Sequence, residues 1–257
     1  MRFEELDERM RVFETTHDLS VLPGLLMVAR LDGRGFTRLT HEVHAFEAPF
    51  DEKFRDHMVA TTMHLMDCGF HTLFGHTQSD EISILIDRAD DAFGRKLRKI
   101  NSILAGEASA HFTLRLGAAA VFDCRVSELP GTQDVVDYFR WRQEDAARNA
   151  LGGHCYWLLR KGGESVTAAT QRLRGLNTEA RNELLFQAGI NFNDLPKWQK
   201  RGTGVLWETY ERPGRNELTG ETAPAIRRRL EIDYELPMKE AFEAFISRLI
   251  EEPGAVA

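Results

Sequence analysis

The sequence has few cysteines and no long hydrophobic run. Its three cysteines, Cys68, Cys124 and Cys155, form no CxxC pair and cannot all be joined to one another in disulfides, which is typical of a reducing compartment. The most apolar stretch, residues 19–29, is interrupted by a Pro-Gly pair and is too short to cross a bilayer. The N-terminus, MRFEELDERMR, is acidic and mixed, unlike a targeting peptide. We therefore expect a cytoplasmic protein without a membrane segment.

An excess of positive charge is also missing. The chain has 33 Lys and Arg against 40 Asp and Glu, a net charge of −7. This excludes non-specific coating of nucleic acid, and any polyanionic partner must meet a local basic patch. Core material, in contrast, is ample, because 42 % of the residues are hydrophobic and 16 of them are Phe. With 257 residues, the chain suits one large domain, or one domain with an appended lobe.

The spacing of apolar residues predicts helices alternating with strands. The predicted helices are 3–18, 51–68, 93–104 and 132–150, and the predicted strands are 25–31, 70–74, 81–87 and 111–123. This order contains a βαββ core followed by a helix and a strand. It predicts an α/β (α+β) fold of the ferredoxin-like type, in which helices back one face of an antiparallel sheet.

The remainder of the chain is predicted to be mostly helical. It also contains a predicted strand pair, 204–210 and 230–234, and a last helix, 238–250. The glycine pair after Leu151 is the best candidate for a boundary. It predicts one domain over 1–150 and a C-terminal lobe over 151–257, with a single domain as the alternative.

Acidic residues fall at the ends of neighbouring predicted strands. Asp32 follows an apolar strand, and Asp80 and Glu81 lie in the predicted hairpin. Carboxylates on adjacent strands can converge, and such hard oxygen ligands suit Mg²⁺ with substrate phosphates completing its shell. The glycines after Asp32 would let backbone N–H groups approach those phosphates. The alternative is that each Asp caps a turn, a common role for Asp beside Gly or Ser.

A histidine and cysteine group on the predicted helix 51–68 is a weaker candidate. His57, His64 and Cys68 are spaced so that they could share one helix face and bind zinc. No second group with ligand spacing accompanies them. Ordinary core or surface side chains are therefore the favoured interpretation.

Basic residues form several short clusters. In residues 138–149, arginines and amides alternate with aromatic rings, which suits contacts to phosphates and bases, or else a helix with aromatics packed inward and arginines solvated. Three further basic runs, 95–99, 197–201 and 227–229, are weak indications of polyanion binding, because a charge run is usually a solvated face.

Taken together, six segments resemble the tRNA-His guanylyltransferase family. They are RLDGRGF (30–36), QSDEIS (78–83), FDCR (122–125), DYFRWRQEDAARNAL (137–151), RNELLF (181–186) and KRGTGVLW (200–207), in the family's order. That family has a palm-type catalytic domain like that of polymerases, and it adds nucleotides to the 5′ end of RNA in the 3′-to-5′ direction. The resemblance implies a Mg²⁺-dependent nucleotidyltransferase that uses GTP and ATP, acts on the 5′ end of tRNA and forms a homotetramer.

The resemblance also implies roles for particular residues. Asp32 and Asp80 match the metal-binding aspartates of a site for two Mg²⁺ ions, which the Gly33 carbonyl completes. Glu81 matches the acidic residue that supports the site. The implied nucleotide-binding positions are Asp32, Gly33, Arg34, Gly35, Phe36, Thr37, Ser79 and Asp80. We expect contacts to tRNA or triphosphate from Arg30, Arg140, Arg142, Arg148, Asn149, Arg181, Lys200 and Arg201.

Two departures separate this chain from many members of that family. Eukaryotic members carry H-I-N-N-L-Y-N where this chain has residues 147–153, so it is more similar to the bacterial and archaeal relatives that repair tRNA 5′ ends in a template-dependent manner. Ala48 stands where many members have a lysine, and Lys53 is a candidate to replace it. The alternatives are a tRNA-His-specific enzyme that adds a single G, a palm-fold nucleotide cyclase or signalling-nucleotide synthase, and a non-catalytic RNA-binding protein.

Overall fold

The computed structural model describes residues 2–215 and 222–252. Its helices are Phe3–Thr15 (α1), Phe36–Arg38 (α2), Glu52–Met66 (α3), Leu97–Leu116 (α4), Thr132–Lys161 (α5), Val166–Leu173 (α6), Thr178–Gln187 (α7), Lys197–Arg201 (α8) and Glu240–Glu251 (α9). Its strands are Leu26–Gly33 (β1), Thr72–Gln78 (β2), Glu81–Ile86 (β3), Phe122–Leu129 (β4), Thr203–Arg215 (β5) and Thr222–Asp233 (β6). None of the helices described is both long and apolar enough to cross a membrane.

The described strands form one antiparallel sheet in the order β4-β1-β3-β2-β5-β6. With α3 between β1 and β2, and α4 between β3 and β4, the first four strands have the predicted ferredoxin-like arrangement. Successive side chains of a strand point to opposite faces, so Ala29 and Leu31 of β1 join one core cluster while Leu26 and Val28 join another. The continuous apolar run of β1 is therefore buried on both faces.

Helices cover both faces of this sheet. On one face α3 and α4 pack through residues such as Leu65 and Phe112. On the other face α5 and α9 pack through Phe139 and Ile246. The sequence predicted only the first layer, because α5 and α9 follow the βαββαβ unit and their position depends on contacts between residues far apart in the chain.

The strand predicted over 111–123 is wrong in its first half. Helix α4 continues to Leu116, and Phe112 belongs to its buried stripe. The helix ends at Gly117, whose φ of 74° suits a left-handed C-cap. Strand β4 begins only at Phe122.

Helix α5 is longer than predicted. It runs unbroken for 30 residues, through the glycine pair that was expected to end it. A glycine inside a helix costs about 1 kcal/mol relative to alanine, and burial of Leu151, Cys155 and Leu159 against α6 and α7 offsets this cost. The predicted boundary after residue 150 falls within this continuous helix, and the division of the chain there stays a prediction.

The C-terminal strands join the same sheet. Strand β5 pairs with β2 over residues 203–206 and with β6 from Gly204 to Arg215. The predicted strand pair is confirmed, although both strands begin or end beyond the predicted limits. The C-terminal part of the chain therefore supplies helices α6 to α8 and also one side of the sheet.

Candidate functional site

Two aspartates lie at one edge of the sheet, where β1 ends and β2 turns into β3. Asp32 stands opposite Glu81 in the β1–β3 register, and Asp80 precedes Glu81 in the turn. The Gly33 N–H donates to the Asp80 carbonyl at 3.0 Å, which ties the end of β1 to the hairpin. The structure thus brings together the acidic residues that the sequence singled out.

The Asp80 carboxyl has a raised pKa. Burial is the main cause, and the negative charge of Asp32 raises the pKa further. A hydrogen bond that the Ser79 hydroxyl donates to the Asp80 carboxylate at 3.1 Å lowers the pKa in part. No hydrogen bond from the described residues reaches the Asp32 carboxylate. Two carboxylates that repel each other in a partly buried site are stabilised by a cation that both contact.

The donor atoms at this edge suit Mg²⁺. They are carboxylate oxygens of Asp32 and Asp80 and the backbone carbonyl of Gly33, all hard ligands. Over residues 2–215 and 222–252, no group of three or more His, Cys, Asp and Glu side chains could hold a metal ion. A cation here would therefore depend on phosphate oxygens and water for the rest of its shell, as Mg²⁺ commonly does.

Glu81 is paired with arginines from β1 and α5. Arg142 Nη1 donates to both Glu81 carboxylate oxygens, at 2.9 and 3.3 Å, and Arg30 Nη1 lies 3.9 Å from the nearer oxygen. Burial raises the pKa of the Glu81 carboxyl, and the charges of both arginines oppose that rise. Arg142 is itself only 7 % exposed and lies 3.6 Å over the Trp141 ring. Glu81 thus fixes two cationic side chains beside the aspartates.

The loop after Asp32 is anchored by Phe36. This side chain is buried, with three other phenylalanine rings at centroid distances of 5.0 to 6.1 Å. A Cβ on Gly33 would lie 2.5 Å from the Phe36 ring, and Gly35 has a φ of 72°, so both positions favour glycine. The predicted nucleotide-binding residue Arg34 is exposed, as is Thr37, which follows the anchor.

A pocket of about 160 Å³ opens beside Asp80. Its polar wall includes Thr37, Ser79 and Asp80, which the sequence had predicted to bind a nucleotide. Its apolar wall includes Phe36, which was also predicted. The other apolar lining residues, which were not predicted, are Phe46, Pro49, Phe50, Phe54, Met58 and Trp198, with His41 beside them. Aromatic side chains can stack on a nucleobase, so the pocket can hold a base while the phosphates of the nucleotide lie near the aspartates.

The aromatic wall joins three distant parts of the chain. The Phe50 and Trp198 rings meet edge to face with centroids 5.7 Å apart. The Arg55 guanidinium of α3 lies 4.7 Å from the Trp198 ring and 4.7 Å from the Tyr234 ring. These residues form no periodic pattern, and α8 is only five residues long. The one sequence signal for the Trp198 side of the wall was the basic run 197–201, which contains Trp198 and overlaps the KRGTGVLW segment.

Three of the predicted RNA contacts are exposed on α5. Arg140 donates to Glu243 of α9 at 3.0 Å. Arg148 and Asn149 both donate to Asp145, at 3.0 and 3.2 Å. Asp145 also lies 3.7 Å from Arg142, so Arg148 and Asn149 are linked through it to the Glu81 pair, whereas Arg140 contacts α9. The contact of all three with RNA stays a prediction.

The two predicted contacts on α8 are engaged with backbone carbonyls. Lys200 is buried, and its ammonium donates to the carbonyls of Phe192 and Asn193 at 3.1 and 2.6 Å. Arg201 Nη1 donates to the Leu236 carbonyl at 2.7 Å. These bonds hold α8, and with it Trp198, against the sheet. A direct contact of either side chain with RNA stays a prediction.

Arg181 lines a second pocket, of about 360 Å³, between α5, α6 and α7. The other lining residues are Gly152, Tyr156, Thr170, Leu173 and Arg174. A Cβ on Gly152 would lie 3.3 Å from Arg181 Nη1, so the small residue leaves room for the guanidinium. The lining contains two arginines and no acidic residue, which suits an anion.

The histidine candidates on α3, and Cys68 just after it, have other partners. His64 Nε2 is 2.7 Å from Glu107 Oε2, and the Cys68 thiol donates to the Leu65 carbonyl at 3.1 Å. Burial raises the pKa of Cys68 to about 11, so its thiol stays protonated near neutral pH. The His57 ring lies edge to face with the ring of Phe112.

Two family models match most of this chain. The model described as tRNAHis guanylyltransferase matches residues 7–130, and the model described as the Thg1 C terminal domain matches residues 133–236. The two matched ranges meet just before α5.

Individual proteins show the same similarity. The chain is 32 % identical over 219 residues to the tRNA(His) guanylyltransferase of Neurospora crassa, covering 79 % of this chain and 74 % of that protein. A bacterial tRNA(HIS) guanylyltransferase (Thg1)-like protein solved in complex with ATP is 27 % identical and has a TM-score of 0.74, with 95 % of this chain and 99 % of that chain covered. A structure of such a protein in complex with GTP has the same identity and TM-score over 96 % of this chain and 99 % of that chain. These similarities extend over both the sheet and the helical lobe.

Proposed function

The chain belongs to the tRNAHis guanylyltransferase family, a family of nucleotidyltransferases, and we propose that it adds nucleotides to the 5′ end of tRNA in the 3′-to-5′ direction. The observation that carries this proposal is the pair Asp32 and Asp80 beside an aromatic pocket. Carboxylates supply ligands for a cation that binds triphosphate, and aromatic rings supply a surface for the base. The relatives solved in complex with ATP and GTP support nucleoside triphosphates as substrates.

We propose that two Mg²⁺ ions are held by the carboxylates of Asp32 and Asp80 and by the Gly33 carbonyl. When bound, Mg²⁺ would neutralise charge on the oxygens of the reacting phosphates. Asp80 must lose its proton to bind a cation. Because the pKa of its carboxyl is raised, cation binding at this site depends on pH. Glu81 acts as a supporting residue, since its oxygens are already paired with Arg142.

The proposed reaction has two stages. First, an oxygen of the RNA 5′-monophosphate attacks the α-phosphorus of ATP, pyrophosphate leaves and an adenylylated 5′ end forms. Then the 3′-hydroxyl of GTP or another triphosphate loses its proton and attacks the 5′-phosphorus of the RNA, and AMP leaves. Both stages spread negative charge over phosphate oxygens. The Arg30 guanidinium, 3.9 Å from Glu81 and two residues before Asp32 on β1, would stabilise that negative charge. Arg142 is already paired with both Glu81 and Asp145.

The second pocket supplies a place for further phosphates. Arg174 and Arg181 offer guanidinium donors, and Tyr156 and Thr170 offer hydroxyl groups. Guanidinium groups match phosphate oxygens in geometry and charge. We assign this pocket to the 5′ end of the RNA or to the second triphosphate.

Template-dependent 5′-end repair is the proposed mode. Gly152 and Gly153 lie within α5 and offer no side chains to hold an unpaired 5′ nucleotide. Selection of the incoming nucleotide would then come from its pairing with the opposite strand of the acceptor stem. The second candidate is the addition of a single G to tRNA-His, which the description of the Neurospora relative favours.

The test uses tRNA that lacks its first nucleotide and carries each of the four bases at position 72. We expect the complementary nucleotide to be added, and a mismatch to cost about 1–3 kcal/mol, or roughly 5- to 160-fold in rate. Equal addition of G opposite every base would refute the template-dependent mode and support the single-G candidate. Conversion of triphosphate without RNA would indicate the cyclase alternative, and no turnover would indicate the RNA-binding alternative.

Variants of the aspartates test the site itself. Asp32→Asn and Asp80→Asn should each abolish nucleotide addition, because each removes a charged ligand without changing side-chain size. Asp7→Asn, on exposed α1, is the matched control and should leave the rate unchanged. Normal turnover with unchanged Mg²⁺ dependence in either site variant would contradict the assignment.

We also propose that the protein is a cytoplasmic homotetramer. The cytoplasmic location rests on three free cysteines, which are typical of a reducing compartment. The tetramer rests on the family resemblance. Light scattering of the purified protein should give four times the chain mass of 29.3 kDa, and a monomeric mass at micromolar concentration would contradict it.

A further inference from the structure

A two-stranded ribbon extends from the sheet at the end opposite the aspartates. Strand β5 begins beside Thr77 and pairs with β2 only as far as Leu206, while its pairing with β6 continues to Arg215. We use the term ribbon for residues 207–215 and 222–230. In the part of the chain that the structure describes, no third strand pairs with the ribbon.

One face of the ribbon concentrates arginines. The register places Tyr210 opposite Arg227, and Arg229 and Arg212 follow two residues away on β6 and β5. Residues two apart on a strand point to the same face, so these four side chains share one face, which we call the arginine face. All four are exposed.

The arginine face carries charge that the ribbon does not neutralise. Arg229 is paired with Glu208 and Glu231, each at 2.7 Å, and lies over the Tyr210 ring at 5.4 Å. Neither Arg212 nor Arg227 has an ion pair with any residue in 2–215 or 222–252. They are diagonal neighbours across the two strands, so two unpaired positive charges lie close together on this face.

We propose that the arginine face docks the phosphate backbone of the RNA substrate at a distance from its reacting end. A local positive surface on a chain of net charge −7 favours a polyanion. Arg212 and Arg227, as diagonal neighbours, are about 7–8 Å apart, comparable to the spacing of successive phosphates, and Tyr210 offers a ring for an unstacked base or a sugar. The proposal rests on the proposed function, which makes RNA the substrate.

The position of the face argues for a large ligand. Nine residues separate Thr203, beside the Asp80 hairpin, from Arg212, which is about 30 Å along an extended strand. A nucleotide cannot span this distance, whereas a folded RNA can contact both places at once. The arginine face would therefore contribute to affinity and orientation while leaving the chemical step unchanged.

The experiment compares Arg212→Ala/Arg227→Ala with the control Arg88→Ala/Arg115→Ala, which removes the same charge from exposed positions elsewhere. The tRNA dissociation constant is measured between 50 and 200 mM salt. Each lost phosphate contact lowers the slope of log affinity against log salt by about 0.9. If two contacts are lost, raising the salt from 50 to 200 mM should weaken tRNA binding by the unmodified protein about tenfold more than it weakens binding by the ribbon variant. The control should keep the slope of the unmodified protein.

A second substrate separates docking from chemistry. On a stem-loop of five base pairs, too short to reach the ribbon from the aspartates, the ribbon variant should add nucleotides as fast as the unmodified protein. On whole tRNA its KM should rise with little change in kcat. An unchanged salt slope for tRNA binding in the ribbon variant would overturn the docking proposal. The proposal would also be overturned if the variant showed a smaller salt slope in binding to anionic vesicles but not in binding to tRNA. If the slope depends on the ribbon but no nucleotide is ever added, the proposed function fails and the docking surface stands.

Discussion

Replacing Arg142 by methionine should destabilise the protein by leaving Glu81 charged without its closest partner. Arg142 Nη1 holds both oxygens of that carboxylate, and methionine fills much of the same space without a charge. Breaking a buried ion pair by removing one partner costs about 3–5 kcal/mol. The Glu81 side chain is 21 % exposed and Arg30 stays 3.9 Å away, so we expect the lower end, about 3 kcal/mol.

The loss should depend on pH. Burial already raises the pKa of Glu81, and Arg142 lowers it, so the variant raises the pKa further. A carboxyl whose pKa is raised in the folded state contributes stability below its unfolded pKa, and that stability is lost as pH rises through the folded pKa. The penalty of Arg142→Met should therefore be largest near pH 7.5 and smaller near pH 5.

The assay is urea unfolding of four proteins at pH 5 and pH 7.5: the unmodified protein, Arg142→Met, Glu81→Gln and the double variant. At pH 7.5 the double variant should be more stable than the sum of the two single losses implies, by about 2 kcal/mol. At pH 5 this coupling should shrink. Equal losses at both pH values, together with additive single effects, would show that Arg142 is buried for a reason other than Glu81.

Three further predictions concern titration and packing. Burial lowers the pKa of His76 to about 4 from 6.5. The neutral ring therefore contributes stability that is complete above pH 6.5 and is lost as pH falls towards 4, at up to about 1.4 kcal/mol per pH unit. The free energy of unfolding of His76→Gln in urea should lack this dependence on pH, and an identical dependence would contradict the prediction. Gly202→Ala places a Cβ 2.8 Å from the Thr77 carbonyl at a φ of 75° and should lower the free energy of unfolding in urea by about 3 kcal/mol. The control Gly24→Ala, at a position with a positive φ and no neighbour within 4 Å, should lower it by about 1 kcal/mol. Equal losses would mean that the contact with Thr77 does not matter. The Mg²⁺ concentration for half-maximal activity should fall as pH rises, because the Asp80 carboxyl has a raised pKa and must ionise to bind. A value that stays constant at every pH where the protein is folded would contradict the assignment of Asp80 as a ligand.

The strands and the acidic pair could be predicted because their determinants are local. The apolar run of β1 ends at Asp32, and the hairpin places Asp80 at its turn, so both features follow from a few consecutive residues. The predicted ferredoxin-like order places β1 beside the hairpin, and this adjacency brings the two carboxylates together. The family resemblance added the roles of these residues, which spacing alone could not supply.

The pocket wall and the partners of Glu81 could not be predicted in the same way. Phe50 and Trp198 are almost 150 residues apart in the chain and meet only after α8 packs against the sheet. Arg142 lies on α5 next to Trp141, and nothing in the local pattern distinguishes an arginine that turns inward from a solvated one. The end of α4 was misplaced for a related reason, because Phe112 fits both a strand and the buried stripe of a helix.

The arrangement of the site explains why its parts are spread over the whole chain. The aspartates come from the first strands, but β2, which leads to Asp80, is paired on its other side with β5. The pocket beside Asp80 takes Trp198 from α8, and Lys200 and Arg201 hold that helix through carbonyl groups. The proposed nucleotide pocket is therefore complete only when the C-terminal strands and α8 are in place. A cut near residue 150 would fall within α5 and would remove Trp198 from the pocket, while Phe46, Phe50 and Phe54 would stay with the carboxylates.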